Sequence, residues 1–263
     1  METIEKQSQW SERFSRWNLT EGMGGYPWVE NVHSIFAPLK RALPLLNLGL
    51  ISSTGAYIKG TDAFDTDSKD GDLNYREFPI EIDAEDFDFG AKGYDAAAVR
   101  EDRNCQIPID RLLEYKSSAV IGNLNEVWWS VSSRIPNAAR VADELGPHIA
   151  ERLHRYDVQA ALLIPASRSC HQTLGIIARV IEKSGIPTMC ISVDPAMTDK
   201  VRPPRTAYYS GELGSVAGKA DYPQYQMRIL DEALRWIETF DQPGSRKLAV
   251  DLESQVETAR GER

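Results

Sequence analysis

An α/β fold, with a Rossmann-like parallel sheet flanked by helices, follows from three observations. Val158-Gln-Ala-Ala-Leu-Leu-Ile164 is an apolar run of strand length, and an amphipathic stretch of helix length covers Cys170 to Ser184. Gly185-Ile-Pro187 then leads into a second apolar run over residues 188–193. Strands joined by a crossover helix of that size pair in parallel, and a parallel sheet needs both faces covered. The 263 residues, 42% hydrophobic and 26% charged, suffice to bury a large core.

In chain order, residues 1–45 mix the rings of Trp10, Phe14, Trp17, Tyr26 and Trp28 with charges and glycines, which predicts an irregular N-terminal arm packed through its aromatics. Residues 46–54 are apolar and stop at Gly55, so they form a buried strand running into a loop. A long acidic loop follows, rich in Gly and Asp from Gly60 to Asp72. Asp65, Asp67 and Asp70 lack the spacing of a calcium loop and are expected to be solvated. Pro108 and Asp110 open a helix, and residues 119–122 and 127–132 read as short strands. Ala138, Val141, Leu145, Ile149 and Leu153 recur at helical spacing, with Gly146-Pro147 expected to interrupt or kink that helix. A last helix covers 222–240. These elements place an α/β catalytic domain, single or in two lobes, at 46–241, with a polar tail at 242–263 that is expected to fray.

The formal net charge of -9 argues against a nucleic-acid partner, which requires clustered Lys and Arg. No basic and apolar leader and no run of membrane-spanning length occurs, so a cytoplasmic location without membrane association is expected. Cys105, Cys170 and Cys190 are too few for a disulfide framework and none forms a CxxC pair, so reduced thiols are expected.

In open parallel sheets, ligands bind beyond the carboxyl ends of the strands, where the next helix presents free N–H groups. Ile164-Pro-Ala-Ser-Arg-Ser-Cys-His-Gln-Thr173 occupies that location. A thiol at a helix start beside Arg168 or His171 is expected to have a stabilised thiolate, which makes Cys170 the leading nucleophile. The structural alternative carries about equal weight: cysteine is often a small buried hydrophobe, and Ser167 or Ser169 are natural helix caps. Cys105 and Cys190 read as structural. His171 adjoins Cys170, yet neighbours on a helix point about 100° apart, which leaves a direct pair open. His33, His148 and His154 have no metal-type spacing around them. A dinucleotide site ranks lowest because Ala166-Ser-Arg-Ser-Cys170 offers no glycines to a pyrophosphate; the sequence implies no cofactor.

The strings Cys170-His-Gln-Thr-Leu-Gly175 and Ile181-Glu-Lys-Ser-Gly-Ile-Pro-Thr188 resemble the glycine/sarcosine/betaine reductase selenoprotein B family, including its D-proline reductase relatives. Further strings agree in order: Gly71-Asp72, Tyr75-Arg76 and Pro79, Tyr94-Asp95, Asp102, Asn104, Pro108 to Leu112, Pro203-Pro-Arg205, Gly218-Lys219 and Gln226. The resemblance covers roughly residues 45–240. It implies a redox centre with a selenocysteine or cysteine three residues before a second cysteine. Here the second is Cys170 and the first position holds Ser167, which cannot form a selenenyl sulfide or disulfide. An expected histidine near Ala91 is also missing.

The resemblance implies catalytic roles for Cys170, His171, Ser167 and Asp72, and a substrate pocket of Thr54, Arg76, Asp102, Asn104, Arg168, Gln172 and Arg205. Arg76 and Arg205 suit a substrate carboxylate because a guanidinium grips two oxygens, with intramolecular ion pairs an equal alternative. The function expected is oxidoreductase chemistry on a small amino acid or related C–N or C–S compound, with one thiol. The alternatives are a non-redox lyase, isomerase or hydrolase step, or a non-catalytic accessory subunit. A thiol reductant or partner subunit and a homo-oligomeric state are expected as well.

Overall fold

The computed structural model describes residues 2–7 and 26–250. Its strands are β1 (Lys6–Gln7), β2 (Val29–Glu30), β3 (Asn47–Ser52), β4 (Ala56–Ile58), β5 (Tyr75–Pro79), β6 (Phe87–Phe89), β7 (Asn123–Leu124), β8 (Val127–Val131), β9 (Ala160–Ile164), β10 (Thr188–Ser192), β11 (Arg205–Tyr208) and β12 (Gly244–Lys247). The helices are α1 (Ala97–Glu101), α2 (Ile109–Ser117), α3 (Ala138–Arg140), α4 (Gly146–Arg155), α5 (Arg168–Lys183), α6 (Pro195–Val201) and α7 (Pro223–Thr239).

The main sheet runs β12-β11-β10-β9-β3-β8-β5, with β7 also paired to β3. Every pairing in it is parallel except β5 with β8. The expected α/β architecture is therefore present. Alternating residues cover the two faces, as the twofold side-chain period of a strand requires. Leu48, Leu50, Trp128, Leu162 and Ile164 share a core with Ile109 and Leu112 of α2 and Ile229 and Leu234 of α7. Ile51, Trp129, Val131, Ala161 and Leu163 share the other core with α3 to α6. After β3 the chain passes to the α2 face, whereas after β8 and β9 it passes to the α5 face. The connections diverge at β3.

Three local expectations are corrected. Residues 119–122 are not a strand: Ala119 is left-handed at φ 57, and the N–H groups of Val120 and Ile121 return to the Tyr115 carbonyl as the end of α2. Gly122 then passes so close to the chain that a Cβ would lie 2.8 Å from the Leu46 oxygen. Second, Gly146-Pro147 does not break its helix. A π turn, Val141–Leu145, joins α3 to α4, and the Gly146 N–H reaches back to Val141 O. The wider turn lets Pro147, which has no N–H, enter the first turn of α4. Third, part of the presumed tail is ordered. β12 extends the sheet beyond β11, Leu248 donates to Tyr208 O, and Leu248 and Val250 are buried. The remainder, 251–263, lies outside the described residues, as do Trp10, Phe14 and Trp17 of the arm.

The described part of the arm is held by α5. Gln172 accepts from Val29 N at 2.7 Å and donates to Pro27 O at 3.0 Å. Arg179 donates to the carbonyls of Glu2, Thr3, His33 and Arg202. The acidic loop is organised by its own carboxylates and neighbours: Asp65 caps Asp67 N and Ser68 N, and Lys92 pairs with Asp67 at 3.1 Å. No helix among the described residues is long and apolar enough to cross a membrane.

Arg205 and Glu182 form a fully buried pair at 2.5 Å that also binds Ala37 and Thr188, joining α5, β10, β11 and the arm. Removing one member of such a pair strands the other charge. Arg205→Met is expected to cost about 3–5 kcal/mol, read as a lower urea midpoint. A loss within the roughly 0.5 kcal/mol of a surface change overturns this.

Candidate functional site

The divergence at β3 brings three loop starts together, Ser53-Thr54 after β3, Ser132-Ser133 after β8 and Ala166-Ser167 after β9. Ser167 has extended backbone (φ -122, ψ 173) and caps α5, its Oγ accepting from Cys170 N at 3.2 Å. Serine suits this place because its hydroxyl satisfies one of the free N–H groups of the first turn. The cap turns Cys170 inward. Its Sγ lies 3.1 Å from Ser167 Oγ, 3.2 Å from Ser133 O and 3.3 Å from Ser53 O. The Ser167 and Ser169 hydroxyls are 2.9 Å apart and stand 3.1 and 3.2 Å from Ser133 O. One carbonyl thus receives hydroxyls and a thiol from the same helical turn.

This nest is closed. Cys170 is 0% exposed and Ser167 1%. Burial pushes the Cys170 thiol up, and the hydrogen bonds from the Ser167 and Ser53 side chains only oppose that shift. The expected stabilised thiolate is therefore corrected: desolvation outweighs the helix terminus. Neither basic neighbour supplies the missing charge. Arg168 Nε pairs with Asp194 Oδ2 at 2.7 Å, at the start of α6. His171 donates from Nδ1 to Ser167 O at 2.8 Å and accepts at Nε2 from Val193 N at 3.2 Å, which fixes one neutral tautomer. Burial also lowers its pKa. His171 therefore braces the turn against the end of β10 and does not face Cys170.

The other predicted residues divide by location. Thr54 belongs to the nest; its carbonyl accepts from Tyr94 Oη at 2.6 Å, while its own Oγ1 is buried without a hydrogen-bond partner. Gln172 holds the arm, as described. Asp72 accepts from Asn74 and Asp65 within the acidic loop. Arg76 covers the Phe64 ring at 3.7 Å and donates to Asp62 O. Asp102 accepts from Asn104 and from Gln226 Nε2 at 2.6 Å, and Asn104 donates on to Asp110 at 2.7 Å, a network that ties α2 to α7. Arg205 is engaged with Glu182 and Ala37, so its alternative reading as an ion pair is the one realised. The sequence reading missed Ser53 and Ser133, and it named Ser169 only as a helix cap and Tyr94 only within a matching string. The repeated Ser-Ser at the ends of two apolar strands is the signal that pointed to the first two.

The model of the glycine/sarcosine/betaine reductase selenoprotein B family matches residues 69–166, ending one residue before Ser167. The chain is 27% identical over 201 residues to D-proline reductase subunit gamma of Acetoanaerobium sticklandii, covering 76% of this chain and 82% of that one. It is 27% identical over 174 residues to glycine reductase complex component B subunit gamma of Symbiobacterium thermophilum, covering 61% and 38% respectively. The Carboxydothermus hydrogenoformans subunit of the same name matches at 24% over 210 residues, 77% of this chain and 48% of its own length. The chain thus spans most of the first relative and less than half of the other two. No solved structure matches it.

A raised thiol pKa has two observable signs. Labelling of Cys170 by iodoacetamide, localised by mass spectrometry, is expected to keep rising above the ~8.5 of a free thiol; a plateau below that pH overturns the assignment. A group protonated in the fold but ionised in the unfolded chain stabilises below its unfolded pKa and loses that effect as pH rises towards the folded value. Stability is therefore expected to decline above about pH 8.5, less steeply in Cys170→Ser.

Proposed function

The chain is a relative of the selenoprotein B reductases, and on that premise we propose that it is a reductase-family enzyme component acting on a small amino acid or related C–N or C–S compound. Its substrate sits at the carboxyl ends of β3, β8 and β9, and Cys170 is the reactive group. One observation carries this reading: the only cysteine in the first turn of α5 has its sulfur among Ser53, Ser133 and Ser167 within 3.3 Å. The names of the relatives support an amino-acid substrate, glycine and D-proline being theirs.

The centre has one thiol. Ser167 Oγ is 3.1 Å from Cys170 Sγ, where the resemblance calls for a selenium or sulfur. Cys105 and Cys190 are buried free thiols, and Cys105 Sγ bonds to Gly214 O. Reduction by this chain accordingly draws its electron pair from an external thiol or a partner subunit. A second reading has its own observation. The buried, protonated thiol with no facing base suits an accessory subunit, or a non-redox step in which Cys170 donates a proton.

The discriminating experiment assays consumption of glycine and D-proline with dithiothreitol, alone and with a reductase complex lacking its own gamma subunit. Cys170→Ser is expected to lower turnover at least ~100-fold, as loss of a nucleophile does. Unchanged turnover in that variant assigns the accessory role. Ser167→Cys is expected to yield a disulfide with Cys170 on oxidation, seen as loss of both thiols to alkylation and recovered by reductant.

A further inference from the structure

The chain covers Cys170 with one short segment. Lys92 and Gly93 are exposed, Tyr94 is half-buried, and Thr54, Ser167 and Cys170 beneath them are 0%, 1% and 0% exposed. Gly93 adopts φ +78 and lies directly over the cap: a Cβ there would stand 3.4 Å from Ser167 Cβ. One residue of backbone therefore separates solvent from Ser167. The segment is anchored at its start, where Gly90 N donates to Gly55 O and Ser133 donates to Gly90 O. At its end Gly214 fits so closely that a Cβ would meet Tyr94 Cδ2 at 2.8 Å and Asp95 O at 2.6 Å. Between these anchors, the phenol of Tyr94 reaches in to the Thr54 carbonyl at 2.6 Å.

A second observation points to a ligand at the same place. Thr54 Oγ1 is fully buried and has no hydrogen-bond partner among the described residues. A buried hydroxyl without a partner carries a desolvation cost that a ligand oxygen removes. The Tyr94 hydroxyl is bonded to the carbonyl of that same residue.

We propose that Tyr94 is a substrate-positioning residue. Its ring closes the route over Gly93 to Ser167 and Cys170. On substrate entry its hydroxyl leaves the Thr54 carbonyl and, with Thr54 Oγ1, donates to a carboxylate oxygen of the substrate. The proposal rests on the reading of Cys170 as the reactive group, and it adds how a small carboxylate is admitted and oriented there. Burial holds the phenol protonated, hence able to donate.

Native-state alkylation of the full chain tests this without turnover. Iodoacetate serves as the small carboxylate, iodoacetamide as its neutral counterpart, and Cys190, buried in β10, reports general loosening. In Tyr94→Ala, Cys170 labelling by iodoacetamide is expected to rise by about tenfold or more, with Cys190 unchanged. Tyr94→Phe keeps the ring and is expected to label with iodoacetamide at nearly the native rate. Its iodoacetate-to-iodoacetamide ratio should fall about tenfold, the effect of losing one hydrogen bond to a charged group; Thr54→Val should fall likewise. The proposal is overturned by Cys170 labelling that is unmoved in Tyr94→Ala, by Cys170 and Cys190 rising together, or by an unchanged ratio in Tyr94→Phe. A Cys170→Ser protein that retains full turnover would remove the nucleophile reading and leave these labelling results standing, so the two failures are distinguishable.

Discussion

The Ser133 carbonyl is the contact on which the site depends. It follows the end of β8 and lies within 3.2 Å of Ser167 Oγ, Ser169 Oγ and Cys170 Sγ at the start of α5. A carbonyl has two lone pairs, so the approach of these donors fixes the rotation of that turn. With the rotation fixed, Cys170 faces inward and Arg168 faces α6. His171 comes to lie against the end of β10. The same bond network ties β8 and β9 across the intervening β3, so the divergence of the chain at β3 and the orientation of the thiol are one constraint.

That constraint sets the chemistry as well. A site assembled from neutral hydroxyls and carbonyls, with no cation facing the sulfur among the described residues, favours a thiol over a thiolate once water is excluded. The cations near the turn have other partners: Arg168 has Asp194, and Arg134 has the Thr66 and Ser68 carbonyls. Under the proposed function, activation of Cys170 comes with the substrate or with a partner, because burial raises the thiol pKa. A sealed thiol is also shielded from adventitious oxidation, which follows exposure and thiolate character.

Legibility in the sequence followed the range of the interaction. β3, β8, β9 and β10 were readable because parallel strands buried on both faces are continuous apolar runs. Residues 119–122 are apolar for a different reason, since Ile121 fills the core beneath α2 while its backbone turns. The π turn before Pro147 was not readable, because a local rule sees a helix breaker where the wider turn removes the conflict. Ser167 and Cys170 were found because capping is local. Ser53, Ser133 and Tyr94 act only after β3, β8 and β9 have paired, and Arg205 meets Glu182 across 23 residues with no pattern to mark it. The substrate residues suggested by resemblance fared by the same rule. Thr54, on the strand end, is in the nest, whereas Asp102 and Asn104 serve the α2 to α7 junction.

Serine at 167 is more than the loss of a redox atom. Its hydroxyl is short and a strong acceptor, so it caps Cys170 N and still reaches Ser133 O and Ser169 Oγ. A sulfur or selenium is a weak acceptor and a poor cap, and a serine N-cap stabilises by about 0.5–2 kcal/mol relative to a residue that cannot cap. Serine at this position therefore favours a firm first turn of α5. The geometry around Cys170 is held by hydrogen bonds that oxygen makes better than sulfur, so the first turn of α5 and the orientation of the thiol rest on the Ser167 hydroxyl.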